Sequence, residues 1–295
     1  MNVLVTIPAY NEEKSIGKVI SDIKHELSKT KHTYRIMVID DGSSDETEKV
    51  AVENGALVFY HQGNFGLAET FKTEMKKAIM LKPDVIVHTD ADGQYLASEI
   101  PKILRPIEEK KADLVIGSRF RGKIEHMSFV KRIGNKAFSK VISGITGLRI
   151  SDAQSGFRAF TPEVAKLNIT SNYTYTQEQI IRCSIEKLRV CEVPITFVRR
   201  KNGKSKLMKN PFEFAAKAWI NLLRIYRDYK PLKFFGIVGG LFFMMGFLIG
   251  LYFIFLHFTT GIVGHIGLIF LMLLLLTMGV QIALFGFLAD MLKKR

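Results

Sequence analysis

The chain has 295 residues, of which 47% are hydrophobic, and it carries 42 Lys and Arg against 28 Asp and Glu, for a formal net charge of +14. This length and apolar content exclude a disulfide-stapled peptide and a disordered tail, and they allow up to about two domains. The two cysteines, Cys183 and Cys191, fit no zinc or redox spacing. We therefore expect two reduced thiols and no disulfide framework.

Short β-branched runs alternate with helical patterns over residues 1–198, which predicts a parallel sheet covered by helices. The first apolar run lacks the basic start of a signal peptide and predicts a strand. Predicted strands are residues 3–7, 35–39, 56–60, 85–89, 114–116 and 190–198, and predicted helices are residues 14–27, 45–54, 66–79 and 177–186. Ligands of such sheets bind at the carboxyl ends of strands, so the residues that follow each strand are the candidates for function.

Polar runs follow the first two predicted strands, at residues 8–13 and 40–45. Each run has a structural interpretation as a turn with a helix cap. The adjacent carboxylates Asp40 and Asp41 also offer acceptors for a base N–H or a ribose hydroxyl. Both interpretations stay open for these two segments.

A third polar run, after the apolar residues 85–87, contains Asp90 and Asp92 followed by Gly93. Two carboxylates at this spacing form a hard-oxygen site suited to Mg²⁺ or Mn²⁺ beside a diphosphate, where the metal neutralises charge on the leaving group. An EF-hand is disfavoured, because the twelfth loop position counted from Asp90 is Pro101 rather than Glu. An acidic surface loop is the alternative interpretation.

The rest of the chain consists of a basic segment followed by a long uncharged, apolar segment. Residues 199–233 carry 11 Lys and Arg against 2 Asp and Glu, whereas residues 234–289 contain none of these four types. So long an uncharged run suits two membrane spans of about 20 residues each, and we predict them at residues 233–258 and 266–290. Basic residues flank the run but are absent from its turn, which predicts a cytoplasmic N-terminal domain and two cytoplasmic termini.

Residues 209–232 combine aromatic and aliphatic side chains at helical spacing with Lys and Arg, and they include the only tryptophan, Trp219. This pattern predicts an amphipathic helix at the membrane interface, and a core helix of the N-terminal domain is the alternative. No nucleic-acid-binding motif accompanies the basic charge, so no nucleic-acid partner is expected. The weak motif Gly246-x-x-x-Gly250 makes the hairpin a candidate surface for homo-oligomers.

Five motifs, taken together in this order, resemble the inverting family 2 glycosyltransferases, most of all the dolichyl-phosphate mannose synthases and their undecaprenyl-phosphate relatives. They lie at residues 7–13, 40–43, 90–92, 117–120 and 155–158. The resemblance covers roughly residues 2–208. It implies an α/β domain of the GT-A fold, a Rossmann-like nucleotide-diphospho-sugar transferase domain over residues 1–208 that uses a nucleotide sugar and Mg²⁺ or Mn²⁺.

The resemblance also implies roles for individual residues. The nucleotide sugar would contact Pro8, Ala9, Tyr10, Glu12, Asp40, Asp41, Asp90 and Ala91, and the metal would be held by Asp90, Asp92 and Gln94. The acceptor phosphate would be bound by Arg119, Lys131, Arg132, Ser155, Arg158, Arg200, Lys204, Ser205 and Lys206. Catalysis would rest on Asp92, Arg119 and the pair Lys131 and Arg132, of which either could match the family arginine.

The expected reaction moves mannose from GDP-mannose to dolichyl phosphate with inversion, at the cell membrane or, in a eukaryote, the endoplasmic reticulum membrane. A lipid phosphate is already anionic at neutral pH and needs no general base, and none of the seven histidines lies in the five motifs. His88 is expected to be a core residue. Because Tyr95 follows Gln94 where the mannose synthases have histidine, the donor stays open.

Four alternatives stand beside mannosyl transfer. The first is a glucosyltransferase that uses UDP-glucose and a dolichyl or undecaprenyl phosphate. The second is a transferase to a hydroxyl of a membrane glycan, with Asp152 or Glu178 as the base. A processive polysaccharide synthase is disfavoured because the chain lacks a Gln-x-x-Arg-Trp motif, and a non-catalytic scaffold is disfavoured because both metal carboxylates are present.

Overall fold

A computed structural model of the chain describes residues 1–171, 174–200, 220, 223–261 and 266–293. The chain divides into two compact units, Met1–Ala215 and Ala216–Arg295. The described part of the first unit is α/β, and that of the second is helical.

The first unit contains seven strands and seven α-helices in its described part. The strands are β1 (Asn2–Ala9), β2 (Thr33–Asp40), β3 (Leu57–Tyr60), β4 (Val85–His88), β5 (Leu114–Ile124), β6 (Arg158–Phe160) and β7 (Val190–Phe197). The helices are α1 (Glu13–Ser28), α2 (Thr47–Glu53), α3 (Leu67–Leu81), α4 (Ile100–Glu108), α5 (Phe129–Thr146), α6 (Pro162–Ala165) and α7 (Tyr175–Ile185). The predicted strands and helices are confirmed with shifted ends, whereas α4, α5, α6 and β6 were not predicted.

The strands form one sheet in the order β3-β2-β1-β4-β6-β5-β7. The predicted parallel sheet is interrupted by β6, which runs antiparallel to both β4 and β5. Three residues are too few to show the alternation by which a strand is recognised in a sequence. Because β1, β2 and β4 are parallel neighbours, the polar runs that follow them meet at one edge of the sheet.

The strands that end at this edge are buried in the core. Strands β1 and β4 are buried on both faces, as expected for central strands covered by helices on each side. Helix α1 contributes Ile16, Ile20, Ile23 and Leu27, which repeat every three or four residues and are at most 1% exposed. Burying one such side chain stabilises the fold by about 1.5–3 kcal/mol.

The second unit contains α8 (Pro231–Thr260) and α9 (Ile266–Lys293), both long and apolar enough to span a membrane. Glycines bring the two helices into close contact, since a Cβ on Gly239 would lie 2.5 Å from the carbonyl oxygen of Gly279. Gly246 is likewise packed against Leu276, so these two glycines serve the hairpin itself. Most of the predicted interfacial helix, including Trp219, lies outside the described residues, although residues 223–229 are helical.

Candidate active site

A cavity of about 930 Å³ lies where the carboxyl ends of β1, β2 and β4 meet, within the size range of ligand sites in proteins. Most of the predicted site residues line it. These are Pro8, Ala9, Tyr10, Glu12, Asp41, Asp90, Ala91, Asp92, Gln94, Arg119, Lys131 and Arg200. The cavity therefore joins residues that the sequence assigned to the donor, the metal and the acceptor.

The first two polar runs are tied to each other by hydrogen bonds. The backbone N–H of Asn11 donates to Ser43 Oγ at 2.8 Å, and the Asn11 side chain accepts the N–H of Ser44 at 2.7 Å. The N–H of Glu12 donates to Thr47 Oγ1 at 2.8 Å. These bonds hold the two runs together, and the Glu12 carboxylate, which lines the cavity, accepts a hydrogen bond from the guanidinium of Arg200.

The carboxylates that follow β2 are occupied by their own loops. Asp40 accepts the N–H and the hydroxyl of Ser43 at 2.9 and 2.5 Å, and it does not line the cavity. Asp41 accepts the N–H groups of Phe65 and Gly66 at 3.0 and 2.8 Å, and it is paired with His61 Nδ1 at 2.8 Å. Asp41 reaches the cavity, but its oxygens hold residues 61–66 in place.

The carboxylates that follow β4 are not occupied in this way. Among the described residues, none donates a hydrogen bond to Asp90, and Asp92 accepts only the backbone N–H of Gln94, at 3.0 Å. Withdrawal from bulk water raises the pKa of Asp90, with partial relief from the charges of His88 and Arg119. The same withdrawal, and then the charge of Asp90, raise the pKa of Asp92 to about 6. Two adjacent carboxylates are thus held in a place that disfavours their charge.

A divalent cation fits this place. The donor set is hard oxygen, and a cation would favour the charged carboxylates that burial disfavours. Gln94 can add its carbonyl oxygen, because its amide nitrogen is the atom that donates to the carbonyl of Val198, at 3.2 Å. In the described part of the chain no cluster of three or more His, Cys, Asp or Glu forms a closed metal cage. An open site of one or two carboxylates is what Mg²⁺ uses when substrate phosphates complete its shell.

Three basic side chains, those of Arg119, Lys131 and Arg200, line the same cavity. Arg119, at the end of the straight part of β5, is held by two bonds to Asp152 of 2.7 and 2.8 Å. Burial, and then the charges of Arg119 and Arg200, lower the pKa of Lys131. Arg200 Nε lies 3.8 Å from Asp92 Oδ2. Lys131 lines the cavity and Arg132 is exposed outside it, which favours Lys131 of the two candidates.

Several predicted acceptor residues do not lie in the cavity. Arg158 is fully buried in β6, where it donates to the carbonyls of Ala153, Ser155 and Thr176, and burial lowers its pKa to about 10. Its guanidinium therefore braces the loop before β6, and Ser155 is buried in the same loop. Lys204, Ser205 and Lys206 lie outside the described residues.

Asp152 and Glu178, the candidate bases for a hydroxyl acceptor, form hydrogen bonds outside the cavity. Asp152 is fully buried against Arg119, and Glu178 accepts the N–H groups of Thr170 and Ser171 at 3.0 and 2.8 Å. Neither lines the cavity. His88 is a core residue as expected, fully buried with its Nδ1 at 2.7 Å from Glu74.

Sequence reasoning missed several lining residues, among them Asn64, Tyr95, Gln154, Gly156 and Tyr175. Tyr95 accepts the N–H of Gly156 at 3.1 Å, which joins the loop after β4 to the loop before β6. The motif at residues 155–158 pointed to the second loop, but Gln154, the residue before the motif, belongs to no recognisable pattern. Tyr175 begins α7 and was masked by the helical pattern that follows it.

The sequence of the chain is similar to those of known glycosyltransferases. The model of Glycosyl transferase family 2 matches residues 4–167, more than half of the chain. The chain is 31% identical over 217 residues to the UDP-N-acetylglucosamine–dolichyl-phosphate N-acetylglucosaminyltransferase of Methanococcus voltae, covering 65% of this chain and 84% of that protein. It is 31% identical over 283 residues to the dolichol-phosphate mannosyltransferase of Pyrococcus furiosus, covering 91% of this chain and 76% of that protein.

Among solved structures, the glucosyl-3-phosphoglycerate synthase of Mycobacterium tuberculosis, crystallised with Mn²⁺ and UDP, superimposes with a TM-score of 0.59 at 18% identity. The match covers 76% of this chain and 78% of that one. At this identity the likeness establishes the fold alone, and it confirms the predicted GT-A domain. From the family match, and from relatives that act on dolichyl phosphate, we conclude that this chain is a glycosyltransferase and belongs to glycosyl transferase family 2.

Proposed function

We propose that the protein transfers a hexose from a nucleotide sugar to a polyprenyl phosphate such as dolichyl phosphate, with inversion at the anomeric carbon. The observation that carries the proposal is the division of charge in one cavity. Asp90 and Asp92 form an acidic side, where among the described residues they accept a single hydrogen bond between them and Arg200 lies 3.8 Å from Asp92, and Arg119 and Lys131 form a basic side. A metal-bound diphosphate suits the first side, and an anionic acceptor suits the second.

Two features favour a phosphate over a hydroxyl as the acceptor: the basic side chains in the cavity, and the engagement of the candidate carboxylate bases elsewhere. Burial, and then the charges of Arg119 and Arg200, lower the pKa of Lys131, so an anion bound beside it would favour its charged form. A hydroxyl acceptor would need a general base, but Asp152 and Glu178 are engaged in hydrogen bonds away from the cavity. His126 lines the cavity and is the residue through which the hydroxyl alternative is tested.

Exposed apolar side chains beside the cavity support a lipid as the carrier of that phosphate. Phe129, Val130 and Ile133 at the start of α5 are 76, 49 and 52% exposed, next to the lining residue Lys131. Helices α8 and α9 supply the membrane anchor in this proposal. We propose that both spans cross the membrane and that the N-terminal unit and both termini face the cytoplasm.

The proposed reaction is a direct displacement. An oxygen of the acceptor phosphate forms a bond to the anomeric carbon while the bond from that carbon to the diphosphate breaks, and the nucleoside diphosphate leaves. Asp90, Asp92 and Gln94 would hold the metal, which when bound supplies Lewis-acid neutralisation of the diphosphate. Arg119, locked by Asp152, and Lys131 orient the phosphate behind the anomeric carbon.

The donor is proposed as GDP-mannose, with UDP-glucose and UDP-N-acetylglucosamine as alternatives. The named relatives act with different sugars, so similarity to them does not select one. Asp40 and Asp41 do not select one either, because their hydrogen bonds are made within their own loops.

A lipid-labelling assay tests the proposal. Purified full-length protein in detergent is incubated with Mn²⁺ and each radiolabelled nucleotide sugar, with or without dolichyl phosphate. We expect label in the organic-extractable lipid only when dolichyl phosphate is present, and the labelled donor then names the sugar. Label that enters an added membrane glycolipid rather than dolichyl phosphate, and that is lost in His126→Asn, would instead establish the hydroxyl acceptor. Absence of transfer from every donor would contradict the proposal.

A further inference from the structure

The loop before β6 runs between the two charged sides of the cavity. At one end, Asp152 holds Arg119 through two bonds of 2.7 and 2.8 Å. At the other end, a Cβ on Gly156 would lie 3.1 Å from Asp90 Oδ1, so the backbone there passes close to the carboxylate. In a direct displacement the transferred hexose lies between the acceptor phosphate and the donor diphosphate. We therefore place the hexose against Gln154 and Gly156, the two residues of this loop that line the cavity.

Gln154, midway along this loop, has a side chain that lines the cavity. The residue is half-buried, and among the described residues its amide has no hydrogen-bond partner. An amide offers both a donor and an acceptor, which matches a sugar hydroxyl that also does both. Its neighbours Asp152 and Ser155 are fully buried and do not line the cavity.

Tyr175 faces the same space from the start of α7. It is only 6% exposed, yet it lines the cavity, and within residues 1–171 and 174–200 no hydrogen bond to its hydroxyl is formed. Its ring is fixed by Phe71, with centroids 4.5 Å apart, and by an edge contact with His88 at 6.1 Å. The hydroxyl itself is open to the cavity rather than closed in the core, so a ligand in the cavity can form a hydrogen bond with it.

We propose that Gln154 and Tyr175 bind hydroxyl groups of the donor hexose and so determine which hexose is transferred. This inference rests on the proposed transfer function. Gly156 contributes by having no side chain, which keeps Asp90 accessible, and Tyr95 fixes the loop through its bond to the N–H of Gly156.

The test removes each polar group and keeps the shape of the side chain. The variants are Gln154→Met and Tyr175→Phe, and the matched controls are Gln62→Met and Tyr60→Phe, at exposed positions that do not line the cavity. For each protein the KM for the active nucleotide sugar is measured beside the Kd for the free nucleoside diphosphate. Donors that lack single hydroxyls, the 2-, 3-, 4- and 6-deoxy sugars, are then compared with the complete donor.

We expect each site variant to raise the KM for the donor by roughly 3- to 10-fold, the value of one hydrogen bond, with the Kd for the nucleoside diphosphate unchanged within about 2-fold. One deoxy donor should be a poorer substrate for the wild type but no poorer than the complete donor for the variant. This loss of discrimination identifies the hydroxyl that each residue binds, and a merely structural role would not produce it.

Two results would overturn the inference. One is a site variant with the same donor KM and the same deoxy-donor pattern as the wild type. The other is a variant that weakens the nucleoside diphosphate as much as the donor. If the wild type itself transfers no hexose to any acceptor, the proposed function fails, and that result is separate because it does not depend on the variants.

Discussion

Two pairs of acidic residues follow parallel strands at the same edge of the sheet, and the protein uses them in opposite ways. Asp40 and Asp41 accept five hydrogen bonds from residues 43, 61, 65 and 66 and so build their own loops. Asp90 and Asp92 accept one bond between them in the described part of the chain, from the N–H of Gln94. The first pair stabilises the fold. The second pair has oxygens available for a ligand, and burial makes its charged form unfavourable.

The difference lies in what surrounds each pair rather than in the acids themselves. The loop after β2 is followed by residues 61–66, whose N–H groups converge on Asp41. The loop after β4 turns at Gly93 and brings no donor to Asp90. Removing a charge should therefore destabilise the fold at the first pair and relieve repulsion at the second.

The largest effect is expected for Asp92→Asn. Loss of one carboxylate from the proposed metal site should lower transfer to lipid by about 100-fold or more, the scale on which single electrostatic groups act in catalysis. The measurement is the rate of lipid labelling at saturating Mn²⁺. Near-normal turnover in this variant would show that the metal assignment is wrong.

The reverse effect is expected for Asp41→Asn. A neutral amide cannot accept three hydrogen bonds in the same geometry, and the cost should be about 2 kcal/mol, seen as a melting temperature several degrees lower. Thermal unfolding of the metal-free protein in detergent measures it. Asp92→Asn is the control, and its melting temperature should not fall. An equal fall in both variants would remove the distinction between the two pairs.

Two adjacent basic residues near the cavity, Lys131 and Arg132, can be compared in the same way. Lys131 lines the cavity and Arg132 does not, so Lys131→Ala should raise the KM for dolichyl phosphate about 10-fold, with the KM for the donor unchanged. Arg132→Ala is the matched control, because the two residues are adjacent and both basic, and we expect it to change the acceptor KM by less than 2-fold. The opposite order of effects would assign the phosphate to Arg132.

The smallest effect is a dependence on pH. Burial and the neighbouring Asp90 raise the pKa of Asp92 from 3.8 to about 6, so the folded protein binds a proton more readily than the unfolded chain does. The contribution of this group to stability is therefore full below about pH 3.8 and is lost as the pH rises through about 6. Lowering the pH from 7 to 5 should raise the melting temperature of the metal-free wild type relative to Asp92→Asn. A difference between the two proteins that does not vary with pH would contradict the raised pKa.

Much of the fold could be predicted from the sequence, because central strands and amphipathic helices carry strong periodic patterns. The β6 strand could not, since its three residues have no period and their partners lie far away in sequence. The site was predicted only in part for a similar reason. Arg158 belongs to a motif that resembles an acceptor site, but its contacts with three carbonyls are fixed by tertiary packing. Gln154 shows no pattern, and only the path of its loop places it in the cavity.

The most direct test of the contrast between the two acidic pairs is a titration of the purified protein with Mn²⁺ in the presence of a nucleoside diphosphate, followed by the loss of the free-ion electron paramagnetic resonance signal. The wild type, Asp92→Asn and Asp41→Asn are compared at a temperature where all three are folded. We predict saturable Mn²⁺ binding by the wild type and by Asp41→Asn, and a loss of at least about 10-fold in affinity for Asp92→Asn. Undiminished binding by Asp92→Asn, or a loss confined to Asp41→Asn, would contradict the account.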